Sequence, residues 1–157
     1  MNIFDILLSY GYIGIFLTSL IGSATIIFPF PSAAFVFAAG ALLNPLLVGI
    51  LAGLGSTIGE FTGYALGWGG RKVIKNKWKK WIKRTEEAFQ KYGGFWIIIL
   101  FAVTPLPDDL TGIVGGILKY PIKKYFLASL IGKIALHLII AYAGFYGVNW
   151  ILKYFGD

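Results

Sequence analysis

Long apolar segments, interrupted by proline pairs and one basic run, occupy most of this chain. They are Ile3–Phe28, Ala33–Leu43, Leu46–Trp68, Phe95–Thr104, Leu110–Leu118 and Tyr125–Leu152. A helix needs about 20 apolar residues to cross the hydrocarbon core of a bilayer, and the longest segments meet that length. Only 13% of the 157 residues are charged, against roughly 25% in soluble domains. The sequence therefore predicts an all-α integral membrane protein with a single membrane domain.

Cysteine is absent from the sequence, which excludes disulfide bonds, thiolate chemistry and cysteine-based metal sites. The N-terminal segment has no basic leader and ends in Pro29-Phe30-Pro31, so we expect it to be retained structure and not a cleaved signal peptide. We expect no cofactor and no metal site.

Positive charge is concentrated in one part of the chain. Nine of the 14 lysines and arginines lie within residues 71–91, and three more are Lys119, Lys123 and Lys124. Cytoplasmic loops of membrane proteins carry such an excess. The basic linker 71–91 is therefore predicted to be cytoplasmic in a multi-pass protein of the cell membrane. This membrane context argues against nucleic acid as a partner.

Apolar residues recur at helical spacing within the linker, with basic residues between them. Tryptophan on one face and positive charge on the other suit an amphipathic helix that lies in an anionic membrane surface. The alternative is a solvated connector whose aromatic side chains pack on the bundle. The apolar positions are Ile74, Trp78, Trp81, Ile82, Ala88, Phe89 and Tyr92.

Two proline pairs lie among the apolar segments, and three of the segments beside them are too short to span a bilayer: Ala33–Leu43, Phe95–Thr104 and Leu110–Leu118. Short apolar pieces around a proline pair predict re-entrant hairpins, which enter and leave the membrane on the same side. Irregular backbone is tolerated at that depth only where it is buried in protein or lines a wet cavity. The prolines at the predicted hairpin tips are Pro29, Pro31, Pro105 and Pro107.

The two hairpins belong to an internal repeat with a constant spacing of 76 positions. Pro29, Pro31, Gly40 and Pro45 match Pro105, Pro107, Gly116 and Pro121. Each hairpin returns to its own side and the following long helix crosses once, so the second copy begins on the opposite face. The sequence therefore predicts inverted repeats, with repeat 1 at about 3–70, the linker at 71–91 and repeat 2 at about 92–152.

Five ionisable residues fall within the predicted membrane segments: Glu60, Asp108, Asp109, Lys133 and His137. A charge at the bilayer centre costs at least about 2.5–3.5 kcal/mol on insertion scales, so such residues are normally paired or functional. A helix rise of about 1.5 Å per residue places Glu60 and Lys133 roughly 14–16 Å from the basic face. The five side chains are predicted to meet near the midplane, where transporters with inverted repeats bind their substrates.

Each of these residues also has a structural interpretation. Glu60 and Lys133 can neutralise one another as a buried pair. Asp108 or Asp109 can cap the helix that follows the second proline pair, and His137 can be a hydrogen-bonded core residue. These alternatives remain open at the level of sequence.

Glycines recur along the first long apolar segment, mostly four residues apart. Stripes of small residues let helices approach closely in lipid. We interpret them as packing positions: Gly49, Gly53, Gly59, Gly63 and Gly67.

Over nearly its whole length the chain resembles the DedA family, also called the VTT or SNARE-associated Golgi protein family. The most specific match is the run Gly59-Glu60-x-x-x-Tyr64-x-x-Gly67-x-x-Gly70-Arg71, with support from Phe101-x-x-x-Pro105. The resemblance implies two facing re-entrant hairpins, each followed by a membrane helix. It also implies lipid movement across the bilayer, since bacterial members are linked to polyprenyl-phosphate translocation and proton-dependent phenotypes, and eukaryotic relatives to phospholipid scrambling.

The chain departs from the family pattern at both hairpins. Many members carry an acidic residue after the first proline pair, where this chain has Ser32-Ala33-Ala34. Many also carry arginines beside the second pair, where Val103-Thr104 and Asp108 stand here. Arginine suits phosphate recognition, so its loss leaves Lys133 as the deep cation and suits the aspartates to titration or cation binding.

The predicted function is transbilayer lipid transport, as a flippase or scramblase for a polyprenyl-phosphate or a phospholipid. In this hypothesis Glu60, Asp108 and Asp109 respond to protons, and Lys133 attracts the anionic headgroup or pairs with Glu60. An ion-coupled transporter of small solutes or drugs is the alternative. An enzyme is not expected, because the chain has one histidine, no cysteine and no recognisable catalytic triad. The expected partners are membrane lipids and protons or another cation, with homo-oligomerisation and a purely structural role left open.

Overall fold

The computed structural model of the protein describes residues 3–25, 32–77, 79–104 and 109–155. These residues form seven α-helices and contain no strand, which confirms the all-α prediction for the described part of the chain. The hairpin prolines Pro29, Pro31, Pro105 and Pro107, and with them Asp108, lie outside the described residues. The helices are α1 (Ile3–Ala24), α2 (Ser32–Leu42), α3 (Pro45–Lys77), α4 (Lys79–Tyr92), α5 (Gly94–Val103), α6 (Asp109–Ile117) and α7 (Ile122–Phe155).

Two helices of the described residues, α3 and α7, are long and apolar enough to cross a membrane, over Pro45–Val73 and Ile122–Tyr154. The start of α3 follows from its sequence. Pro45 occupies the first helical position, where its missing N–H is not needed. The Asn44 side-chain oxygen accepts from the backbone N–H of Leu46 at 3.0 Å, as an N-cap does. By contrast α2, α5 and α6 have 11, 10 and 9 residues, about half the length of a spanning helix.

Helices α3 and α7 pack closely against one another where they cross. A Cβ atom on Gly49 would lie 2.6 Å from Cδ2 of Leu138, and one on Gly53 would lie 2.7 Å from Cα of Ile134. From Gly49 to Gly53 along α3, the contacted residue on α7 moves back from Leu138 to Ile134. The two helices are therefore antiparallel. The packing role predicted for these two glycines is confirmed, because a larger side chain would push the backbones apart.

Each long helix also packs against the first helix of its own half. A Cβ on Gly55 would meet the carbonyl of Phe16, and the Thr62 hydroxyl donates to the Ala24 carbonyl at 3.2 Å. Helix α1 therefore runs parallel to α3. In the second half, a Cβ on Gly132 of α7 would lie 2.9 Å from the carbonyl oxygen of Ile99 in α5.

The short helices α2 and α6 pack on the long helix of the other half. A Cβ on Gly116 of α6 would collide with the Tyr64 carbonyl of α3, and one on Gly67 of α3 would collide with the Ile113 carbonyl of α6. The contact between α2 and α7 has the same form. There Gly40 meets Ala141 and Gly144 meets Phe37. Gly40 and Gly116 are 76 positions apart, and Gly67 and Gly144 are 77 apart, so the two interfaces match position by position.

The Gly67 contact gives a test of this packing. We expect Gly67→Ala to destabilise the protein by about 1–3 kcal/mol, the usual cost of overpacking a close contact, because the added methyl group meets the α6 backbone. Thermal unfolding in detergent measures the effect. Gly69→Ala is the matched control, since a Cβ there meets nothing within 4 Å. Equal stability of the two variants would contradict the packing of α6 on α3.

Helix α4 carries most of the predicted basic linker. Ile82 is buried, whereas Trp81 and the basic residues around it are exposed. The Phe89 ring packs edge-on against Tyr120, with 5.6 Å between ring centroids, so part of the apolar face rests on the bundle. Helix α3 continues through Lys77, so the first basic residues of the linker 71–91 extend the long helix. Nothing in Arg71-Lys72 or the residues after it disfavours a helix.

Candidate functional site

Buried polar side chains lie where α3 and α7 cross. Glu60 is 1% exposed, Lys133 is 0% exposed and His137 is 4% exposed. Charged groups are almost never fully buried unless they are paired or serve a function. The smaller buried polar residues around them are Ser19, Ser56, Thr57 and Ser129.

Glu60 is held by the first turn of α6. The Thr111 hydroxyl donates to Oε1 of Glu60 at 2.5 Å. A Cβ on Gly112 would lie 2.9 Å from the Glu60 carbonyl oxygen, so glycine at this position lets α6 lie directly on α3. Helix α6 begins at Asp109, two residues before Thr111. Its N-terminal end therefore lies beside Glu60.

His137 connects α7 with α3. Its Nδ1 lies 2.8 Å from the Lys133 carbonyl oxygen, and its Nε2 lies 3.2 Å from the Ser56 hydroxyl. A carbonyl oxygen only accepts, so Nδ1 is the donor, and in the neutral ring Nε2 accepts a hydrogen bond from Ser56. Both ring nitrogens have partners, as the structural interpretation of this histidine requires.

We call Ser56, Glu60, Lys133 and His137 the polar cluster. Ser56 and Glu60 are one turn apart on α3, and Lys133 and His137 are one turn apart on α7. Ser56 and Lys133 are 77 positions apart, and so are Glu60 and His137. The cluster therefore consists of equivalent positions from the two halves, occupied by different side chains.

Three of the five predicted residues, Glu60, Lys133 and His137, are thus buried at one helix crossing. Asp109 begins the helix whose first turn binds Glu60, and Asp108 lies outside the described residues. The participation of these residues in transport stays a prediction.

The sequence did not point to three hydroxyl-bearing residues of this region. Ser56 and Ser129 each lie four residues before a predicted residue, Glu60 or Lys133, on the same helix face. That four-residue spacing is the feature of the sequence that could have identified the two serines. For Thr111 the sequence offers only its nearness to the aspartates, because serine and threonine are common in apolar helices.

The motif residues that support the resemblance make packing contacts toward the basic end of α3. The Tyr64 hydroxyl donates to the Tyr120 carbonyl at 2.6 Å, which fixes the turn between α6 and α7. A Cβ on Gly59 would meet the Leu20 carbonyl, and Gly67 contacts α6 as described. Arg71 is half-buried near the end of the apolar span. These positions hold the helices that surround the polar cluster.

A carboxylate, an ammonium group, an imidazole and several hydroxyls thus share one buried region. The ammonium group offers only donors and the ionised carboxylate only acceptors, while the imidazole and the hydroxyls offer both. The region can therefore hydrogen-bond an anionic or hydroxylated group. The predicted absence of a metal site stays a prediction.

Comparisons with known proteins found a matching family model and a distant relative. The family model described as the VTT domain matches residues 30–146, a range that includes the polar cluster. An uncharacterized protein of Methanocaldococcus jannaschii is 28% identical over 136 residues, which cover 85% of this chain and 83% of that protein. No solved structure matches the chain.

Proposed function

This chain belongs to the VTT-domain family, the DedA family, and from that premise we propose that it moves lipids across the bilayer as a flippase or scramblase. The family match and the two long apolar helices identify a membrane protein. The observation that carries the proposal is the polar cluster, because ionisable residues that are buried together inside a membrane bundle often mark a substrate or proton pathway.

The proposal includes two re-entrant hairpins arranged as inverted repeats. Two observations support it. The α2–α7 and α6–α3 interfaces repeat the same glycine contacts. Helix α6 starts beside Glu60, near the middle of the span Pro45–Val73, and its nine residues cover about 13 Å, less than half of the roughly 30 Å core. A helix of that length and position suits a hairpin limb that reaches only the midplane.

In the proposed cycle, the headgroup crosses at the polar cluster while the lipid tails stay in the bilayer. Lys133 attracts an anionic headgroup, and the hydroxyls of Ser56 and Thr111 replace part of its hydration. Protonation of Glu60 removes the negative charge that competes for Lys133, so a proton taken up by Glu60 favours headgroup binding. Because Thr111 joins α6 to Glu60, protonation of Glu60 acts on the contact between α6 and α3. The lipid itself is not chemically altered, so no enzymatic step is proposed.

The orientation proposed follows from charge. Helix α4 and the α6–α7 turn place Lys79, Lys80, Lys83, Arg84, Lys119, Lys123 and Lys124 at one end of the bundle. The positive-inside rule assigns that end to the cytoplasm in a multi-pass protein of the cell membrane. The proposed partners are lipids with anionic headgroups, together with protons.

A flipping assay tests the function directly. We expect proteoliposomes that contain the protein to move a fluorescent anionic phospholipid between leaflets faster than protein-free liposomes, and the rate to respond to a proton gradient. Uptake of a soluble solute without lipid movement would instead support an ion-coupled solute transporter. Asp108, which stands where many family members carry an arginine, favours that second function.

The hairpin arrangement has its own test, which the absence of cysteine makes simple. We expect a cysteine at Asn44 to react with a membrane-impermeant thiol reagent from one side only, and a cysteine at Lys119 from the other side only. A cysteine at Thr104, near the second tip, should stay unreactive from the side that labels Asn44→Cys. Labelling of Thr104→Cys from that side would show that α5 crosses the whole bilayer.

A further inference from the structure

A cavity of 530 Å³ lies between α4, α5 and α6, apart from the polar cluster. Its volume falls within the range of about 300–1,000 Å³ that is typical of small-molecule sites. Helix α4 supplies Trp81, Arg84 and Ala88 to one side, and α5 and α6 supply apolar residues to the others.

The cavity has one basic end, and apart from Thr85 and Thr111 the rest of its lining is apolar. Arg84 is the charged residue that lines it, and it lies on the exposed part of α4. The outer wall includes Leu100 and Phe101 of α5, which are 62% and 46% exposed. Since these apolar side chains face outward from the bundle, a hydrocarbon chain in the surrounding bilayer has lateral access to the cavity.

We propose that this cavity binds the hydrocarbon chain of a phosphate-bearing anionic lipid, whose phosphate pairs with Arg84. Arginine presents a planar fork of donors that matches phosphate oxygens. The neighbouring Lys80 and Lys83 add positive charge at the same surface of α4, which attracts anionic lipids and disfavours cationic ligands. The shape, the lining and the charge thus select one occupant: a long apolar chain with an anionic head.

The inner end of the cavity lies close to the polar cluster. Thr111 lines the cavity, and the same hydroxyl donates to Glu60. A lipid held here is separated from Glu60 by a single side chain. This inference rests on the proposed function and adds to it a loading site in the basic leaflet, between α4, α5 and α6.

Binding to the full-length protein in detergent tests the site without any transport measurement. The probe is lysophosphatidic acid, counted by native mass spectrometry, with lysophosphatidylcholine of the same chain length and inorganic phosphate as comparison ligands. We expect one tightly bound lysophosphatidic acid per chain, with affinity roughly tenfold above that for lysophosphatidylcholine. Inorganic phosphate should not displace it, because the chain supplies most of the binding.

Two matched pairs of variants locate the site. Arg84→Gln is expected to weaken lysophosphatidic acid binding roughly tenfold, whereas Lys80→Gln, which removes the same charge from α4 outside this cavity, should change it less than about twofold. Ala88→Leu narrows the cavity and should reduce binding of both lysolipids. Ala65→Leu, at an exposed position of α3, should leave both unchanged.

Equal losses in Arg84→Gln and Lys80→Gln would overturn the proposal in favour of general surface attraction. Unchanged binding in Ala88→Leu would overturn it as well, because the chain would then lie elsewhere. The outcome also separates this site from the proposed function. Specific binding in a protein that does not flip lipids would refute the transport function and retain the site. Flipping without specific binding would retain the transport function and refute the site.

Discussion

Replacing Lys133 by methionine is expected to reduce flipping of an anionic phospholipid roughly 10- to 100-fold in proteoliposomes. Methionine keeps the length of the side chain and removes the buried ammonium group, which is 0% exposed at the α3–α7 crossing. A hydrogen bond to a charged partner contributes about 1.5–3 kcal/mol, and each 1.4 kcal/mol corresponds to about a tenfold change in rate. The measurement is the initial flipping rate at equal reconstituted protein.

Lys153→Met is the matched control for this prediction. The same substitution at the exposed end of α7 removes an equal charge, far from the polar cluster. It should leave the rate within about twofold of wild type. If Lys133→Met flips lipid as fast as Lys153→Met does, Lys133 has no contact with the headgroup.

A purely structural role for Lys133 predicts a different result, and a double variant distinguishes that role from a role in transport. Removing one member of a buried charge pair is strongly destabilising, whereas replacing both by uncharged groups is often neutral. Glu60→Gln with Lys133→Met should therefore recover thermal stability in detergent. We expect flipping to stay low in this double variant, and recovery of both stability and flipping would show that the two residues serve only as a structural pair.

Glu60→Gln alone is expected to make flipping insensitive to a proton gradient and to lower its rate roughly tenfold. Glutamine keeps the shape of the side chain and a carbonyl oxygen that can accept from Thr111, but it cannot bind or release a proton. The initial flipping rate with and without an imposed gradient measures the response.

Glu87→Gln provides the comparison for the gradient experiment, because Glu87 is exposed on α4. It should respond to the gradient as the wild type does. A full response that persists in Glu60→Gln would assign the proton-sensitive step to another group.

Much of this site could be predicted from the sequence, because hydropathy identifies the membrane segments and the helix rise gives the depth of each residue within them. Glu60 and Lys133 lie in apolar segments at similar distances from the basic residues, and that alone predicted that both are buried at one level. The hydrogen-bond partners of these residues could not be predicted from the sequence. Whether Thr111 or another hydroxyl reaches Glu60 depends on how closely α6 approaches α3, which Gly112 decides through packing.

For the repeat, too, the sequence predicted some equivalent positions, whereas their contacts came only from the structure. Proline and glycine spacing predicted equivalent hairpins, and the structure adds matched contacts at Gly40 and Gly116. The partner glycines Gly67 and Gly144 are offset by one further residue, so a search at constant spacing passes over them. The continuation of α3 from Arg71 to Lys77 was also not predicted, because the composition changes at Arg71 whereas lysine and arginine are good helix formers.

The exchange of short helices between the halves governs how the chain assembles. Gly40 of α2 meets Ala141, and Phe37 of α2 meets Gly144, and both partners lie on α7, which is synthesised after the first half. The face of α2 that carries Phe37 and Gly40 therefore has no packing partner until α7 is present. Neither half is a complete folding unit, and the bundle closes only after α7 has joined it.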